Sequence, residues 1–256
     1  MKYSTTNWMA VALMIVGGFL DRTPRITLWC IAMAVIIAGT IGAGRHAWMI
    51  RPGHFAERHG LITIIALGEL IVALGLPVVE TLGDDGDLSG ETLVALVAAG
   101  AYAALIWWSI FDRPLRALEH RHDLHDDPTE RGRYARDVYT YAWLAIVAGI
   151  VLAAAGLEEI VLHPSEVPDT AFRWMFLGGT VLTMIGVGIA ILRAFTKITF
   201  ERTAGAAGLV ALAALATSLE GLALVIAADL VIVVMLAVEH VRVEARYRNE
   251  VDPAAT

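Results

Sequence analysis

Glu69 lies twelve residues after Glu57, and the stretch between them is apolar apart from Arg58, His59 and Thr63. A helix rises about 1.5 Å per residue, so a membrane helix with Glu57 at its mouth carries Glu69 about 18 Å further in, near the bilayer midplane. A charged side chain at that depth costs roughly 2.5 to 3.5 kcal/mol on insertion scales, so the residue needs a reason. Ala66 and Ala73 flank Glu69 at i−3 and i+4, which makes its face narrow and suited to burial against another helix. Asp229 stands about ten residues into the last apolar run and reaches a similar level. If the two acids met, one would hold a proton, because like charges in a low dielectric cannot both ionise cheaply. Glu69 and Asp229 are therefore candidates for a midplane proton or small-cation site. The competing reading is a pair of fixed interhelical hydrogen bonds.

Other polar residues gather at the ends of the apolar runs. Glu57, Arg58 and His59 open the third run, while Asp112 closes the fourth and Asp137 opens the fifth. Such a set forms a polar cluster at one mouth, either as ion pairs that pin helix ends or, through His59, as a proton relay near physiological pH. Glu158 and Glu159, close to His163, stand at the opposite mouth, where they would draw in cations or simply end a helix at the surface. Thr217-x-x-Glu220 has the spacing of a capping box and predicts the start of a new helix. Trp107, Trp108, Tyr139 and Tyr141 either line a pocket or anchor span ends at the interface.

His120, His122 and His125 lie in the longest loop among mixed charges, a setting that is ordinarily solvated, so no metal is assigned. The single cysteine, Cys30, excludes an intrachain disulfide. The sequence holds no phosphate-binding glycine loop, zinc-protease helix or Gly-x-Ser-x-Gly elbow. No enzymatic activity and no cofactor are expected.

These residues need membrane helices to hold them. The chain is 57% hydrophobic and 18% charged, with a mean hydropathy of +0.66, outside the range of ordinary soluble domains. Apolar blocks of helix-spanning length, not alternating segments, predict an all-α, polytopic transmembrane bundle and exclude a β-barrel. The expected spans are Thr5 to Leu20, Ile26 to Ala43, Glu57 to Val79, Glu91 to Phe111, Asp137 to Leu162, Ala171 to Phe195, Ala204 to Ala216 and Leu219 to Glu239. Residues 1–242 then form one transmembrane domain and 243–256 a polar cytoplasmic tail.

On that eight-span arrangement sixteen Lys and Arg fall on one side, from Lys2 to Arg248, and only Arg22, Arg25 and Arg173 on the other. The excess marks the cytoplasmic face and predicts a plasma-membrane protein with both termini inside. The loop of Asp84, Asp85 and Asp87 then lies outside and the histidine loop inside. A net charge of −7 with acids spread through loops does not suit nucleic acid. Ala145, Gly149 and Ala153, and Gly178, Gly179, Gly186 and Gly188, form small-residue rows that let helix backbones approach.

The third run reads Glu57-Arg58-His59-Gly60-Leu61, then an aliphatic stretch, then Leu67-Gly68-Glu69. It closely resembles the signature helix of the low temperature requirement A family of membrane proteins. Trp107-Trp108 before Phe111-Asp112, Tyr139-Thr140-Tyr141 before Gly149-Ile150-Val151, and Gly156-Leu157-Glu158-Glu159 before His163-Pro164 are similar to further segments of that family, in the same order. The resemblance covers most of the chain. It implies a multi-pass membrane protein and no particular reaction. It also implies additional N-terminal helices with an acidic-aromatic motif that this sequence does not contain, so a partner chain or a second copy is expected to supply what they do. Two functions follow from the residues together: a proton- or cation-coupled transporter or channel, or a non-transporting scaffold or sensor subunit whose acids bond between helices. The lipid bilayer is the partner common to both.

Overall fold

The computed structural model describes residues 2–43, 52–85, 89–112, 114–115, 117–118 and 128–251, and every regular element among them is helical. In chain order these are α1 (Lys2–Gly18), α2 (Arg22–Ala43), α3 (Pro52–Asp85), α4 (Gly90–Phe111), α5 (Pro128–Ala135), a π-helical stretch (Arg136–Ala142), α6 (Trp143–Leu162), α7 (Thr170–Phe195), α8 (Phe200–Leu215) and α9 (Gly221–Val251). The histidine loop and Asp87 lie outside the described residues.

Six stretches, in α2, α3, α4, the run through α6, α7 and α9, are long and apolar enough to cross a membrane. α1 and α8, of 17 and 16 residues, fall short of the roughly 20 that span the hydrocarbon unaided. The all-α membrane bundle of about eight spans expected from the sequence is the observed fold class.

The start of α9 differs from the capping-box expectation. The helix begins at Gly221, and the backbone N–H groups of Gly221 and Leu222 donate to the carbonyls of Glu166 and Pro164, both at 2.8 Å. The loop after α6 thus satisfies donors that the first turn of a helix leaves open. Glu220 contributes its carbonyl, which accepts from Leu224 N–H at 2.9 Å. At its other end α9 continues to Val251, so most of the stretch expected to be a tail is helical.

The chain forms two compact units. The first holds α1, α2 and α5. Its α1–α2 hairpin buries Ala10 and Ala32, and the Trp29 indole donates to the Met14 carbonyl at 3.2 Å.

The second unit holds α3, α4 and α6 to α9, and its tightest pair is α6 with α7. A Cβ added at Gly179 would lie 2.5 Å from the Ala153 nitrogen, and one at Gly186 would lie 2.7 Å from the Ala142 carbonyl. Those neighbours are backbone and cannot yield, so only glycine permits the approach. Gly178 and Gly188 do not share this role, since a Cβ on Gly188 meets nothing within 4 Å and one on Gly178 meets only Trp174 at 3.9 Å. α3 packs on α6 and α4, while α9 packs on α4, α8 and α6. The α4, α7 and α9 helices all run away from the end where Ser165 donates to Glu91, so similar counts along them reach similar depths.

Candidate functional site

Tyr102 and Thr180 meet at mid-depth in the second unit, and Asp229 stands at a similar level. Tyr102, twelve residues along α4, is buried, and its hydroxyl lies 2.8 Å from Thr180 Oγ1 on α7. Thr180 spends its own proton on the Phe176 carbonyl at 2.8 Å, so Tyr102 is the donor of the pair. Asp229 on α9 is within electrostatic reach of Tyr102, and among the described residues its buried Oδ1 has no hydrogen-bond partner. A buried carboxylate oxygen left so is costly unless a proton, a water or a cation attends it.

Each end of the same bundle carries a buried arginine. Arg202 on α8 is only 3% exposed; it donates from Nε to Glu239 Oε1 at 3.2 Å and from Nη1 and Nη2 to Ser109 Oγ and Ser109 O at 3.0 Å each. Its Nη2 also stands 3.0 Å from Glu239 Oε2, so the ion pair has two contacts. At the other end Arg173 donates from Nε to the Ala213 carbonyl at 2.9 Å, capping the last turn of α8. The sequence places both arginines at span ends, Arg173 just inside the expected span from Ala171 and Arg202 just before the one from Ala204. Their burial follows from the extent of the helices, since both fall inside first turns that pack against neighbours.

The N-terminal part of the signature helix docks on the π-helical stretch and the start of α6. The Trp143 indole donates to the His59 carbonyl and to Thr63 Oγ1, both at 2.9 Å. The His59 ring stands 5.2 Å from the Tyr139 ring and 6.0 Å from that of Trp143, between centroids. One turn away, Asp137 accepts from Arg193 Nε at 3.0 Å. The mouth cluster expected from the sequence is thus divided: His59 is embedded among aromatics, Asp137 is tied to α7, and Glu57 and Arg58 are exposed. Asp112 lies beside the Arg202 end of the bundle.

Glu69 lies outside all of this. Thr63, Ala66, Leu67, Leu70 and Leu74 form the buried stripe of α3, and Glu69 falls on the outer side with Ile65 and Val72. It is exposed, and among the described residues no hydrogen bond or ion pair reaches it. Burial of Glu69 against a neighbouring helix, as its flanking alanines suggested, is not what is observed within this chain; Ala66 belongs to the packed stripe and its neighbour three residues on does not. α3 and α9 are not a packing pair, so Glu69 and Asp229 are not brought together. Glu158 and Glu159 are half-buried, with Glu159 3.5 Å from His163. Trp107 stacks on Phe111 and, with Trp108, is about half exposed, as interfacial anchors are.

The family description of the bacterial low temperature requirement A protein, LtrA, matches residues 2–238, which takes in the signature helix, Tyr102, Thr180 and Asp229. The chain belongs to the LtrA family. An uncharacterised protein of Rhizobium meliloti (strain 1021) is 31% identical over 196 residues, covering 72% of this chain and 46% of that relative. The chain therefore spans about half the length of the curated relative it matches. No solved structure matches it. In this LtrA protein, the sequence singles out Asp229 by its depth and does not single out Tyr102 or Thr180. Tyr102 and Thr180 carried a signal of their own, hydroxyls ten to twelve residues into long apolar helices, where a polar group must find a partner inside the protein.

Proposed function

We propose that this LtrA-family membrane protein moves protons or small cations, with Asp229 as the internal binding group. The observation that carries this reading is the buried, unpartnered Oδ1 of Asp229 in the layer of Tyr102 and Thr180. A fixed structural carboxyl would be expected to have its hydrogen bonds filled, whereas a group that takes up and releases an ion must have coordination to offer. Tyr102, hydrogen-bonded to Thr180, stands within electrostatic reach of it. The buried Arg202–Glu239 pair closes the bundle toward one face, and Arg173 stands at the other. The excess of Lys and Arg on the Arg202 side supports a cytoplasmic orientation of that face, in a plasma-membrane protein with both termini inside. Proton and cation flux into liposomes holding the purified chain, compared between wild type and Asp229→Asn, tests the reading.

A second reading rests on Glu69. A carboxyl on an exposed, otherwise apolar helix face is expensive in lipid, which favours a covering helix from a second copy or another chain. In this reading the protein is a non-transporting subunit, and Glu69 bonds across the interface. Glu69→Leu then changes the oligomeric state in detergent and leaves flux alone.

A further inference from the structure

A cavity of about 500 Å³ opens beside the Arg202 end of the bundle, between the last turns of α4 and the middle of α9. Its walls include Leu105, Trp108, Val233 and Leu236, and its polar lining is the Arg202–Glu239 pair with Asp112 and with His240, whose Nε2 lies 3.6 Å from Glu244 Oε2. A volume in the range of roughly 300 to 1,000 Å³, apolar walls and a few fixed polar groups are the features of small-molecule sites.

The polar groups decide the sign of the ligand. Of the five N–H groups of Arg202, one is spent on Glu239 Oε1, two on Ser109, and a further contact goes to Glu239 Oε2. Four of the five are thus engaged by the protein, which leaves the guanidinium poorly placed to clamp an anion. What remains for a ligand is acceptor capacity, because an ionised carboxylate has about four lone-pair sites and Arg202 uses only two of those on Glu239. The Trp108 indole, 56% exposed, adds a π face on which cations bind favourably.

We infer that this cavity is a binding site for an amphipathic amine, whose ammonium group meets the Glu239 carboxylate while its apolar body lies against Leu105, Trp108, Val233 and Leu236. The site is separate from Asp229 and does not depend on transport. An ethanolamine phospholipid and a free alkylamine both carry the required headgroup.

The test uses the full chain, delipidated in neutral detergent, with octylammonium and octanoate as probes of equal length and opposite charge in titration calorimetry. Octylammonium is expected to bind at least tenfold more tightly than octanoate. Glu239→Gln should remove that preference. Because this variant leaves Arg202 unpaired and can fail to fold, Ala237→Phe serves as the second variant: it fills the cavity from an exposed position and leaves the ion pair whole. It should weaken octylammonium binding at least tenfold with an unchanged unfolding temperature. Native mass spectrometry before delipidation separates the sources. An ethanolamine phospholipid that is retained and displaced by octylammonium identifies a lipid, and a lipid-free protein that binds octylammonium identifies a free amine; either sustains the site. Equal binding of the two probes, no binding of octylammonium, or wild-type binding by a folded Ala237→Phe overturns it.

Discussion

The Tyr102 hydroxyl donates to Thr180 Oγ1 at 2.8 Å across 78 residues of sequence, joining α4 to α7 at the depth where Asp229 stands on α9. Tyr102→Phe keeps the ring that packs edge-on against Phe176 and removes only this bond. Interhelical hydrogen bonds in membranes average about 0.6 kcal/mol and reach about 1.7, so the unfolding temperature in detergent should fall by a few degrees at most. If the hydroxyl serves ion movement at Asp229, the same change should lower flux well beyond that small loss. A large unfolding defect with normal flux in the folded fraction would assign Tyr102 to structure alone.

Arg202 and Glu239 make a different kind of pair, because each is nearly enclosed. Arg202→Met strands a carboxylate in the bundle and should cost about 3 to 5 kcal/mol, whereas the double variant with Glu239→Leu should recover much of it. Chemical denaturation of the single and double variants checks this. Equal losses in both would mean that the pair is dispensable and that the Ser109 bonds dominate.

Close packing of α6 on α7 depends on which glycines face inward. Gly179→Val forces a side chain into the Ala153 backbone and should abolish accumulation of folded protein, while Gly188→Ala should be close to neutral. Expression in membranes, followed by size-exclusion chromatography in detergent, distinguishes the two.

Helix number and class were legible because long apolar runs in lipid have few alternatives. Individual facing directions were less so. Glu69 and Ala66 are three residues apart, yet the packed stripe of α3 passes through Ala66 and misses Glu69, since positions i and i+3 differ by about 60° around the helix, enough at the edge of a stripe to move a residue from core to surface. Thr217 and Glu220 matched a capping box, but carbonyls from the 163–167 loop supply the cap, a long-range contact that no local spacing encodes. Arg173 and Arg202 were legible as charges at span ends, and their burial depends on which neighbours the first turns of their helices meet. Asp229 was legible from depth alone; its company with Tyr102 and Thr180 depended on which helices adjoin.

The proposed sidedness rests on the distribution of Lys and Arg. With Cys30 replaced by serine, a cysteine in place of Glu166 should react only with reagent added outside, and one in place of Lys197 only after reagent reaches the inside. Reaction of both from one face would contradict the eight-span arrangement.

The most direct test of an ion-handling Asp229 is proton and monovalent-cation flux in liposomes reconstituted with wild type, Asp229→Asn and Glu69→Gln. Asparagine keeps the shape of the side chain and removes its charge. The account predicts flux above that of empty liposomes for wild type, at least a tenfold loss for Asp229→Asn with the protein still folded, and near wild-type flux for Glu69→Gln. Wild-type flux in folded Asp229→Asn, or none in the wild type under any imposed gradient, would contradict it.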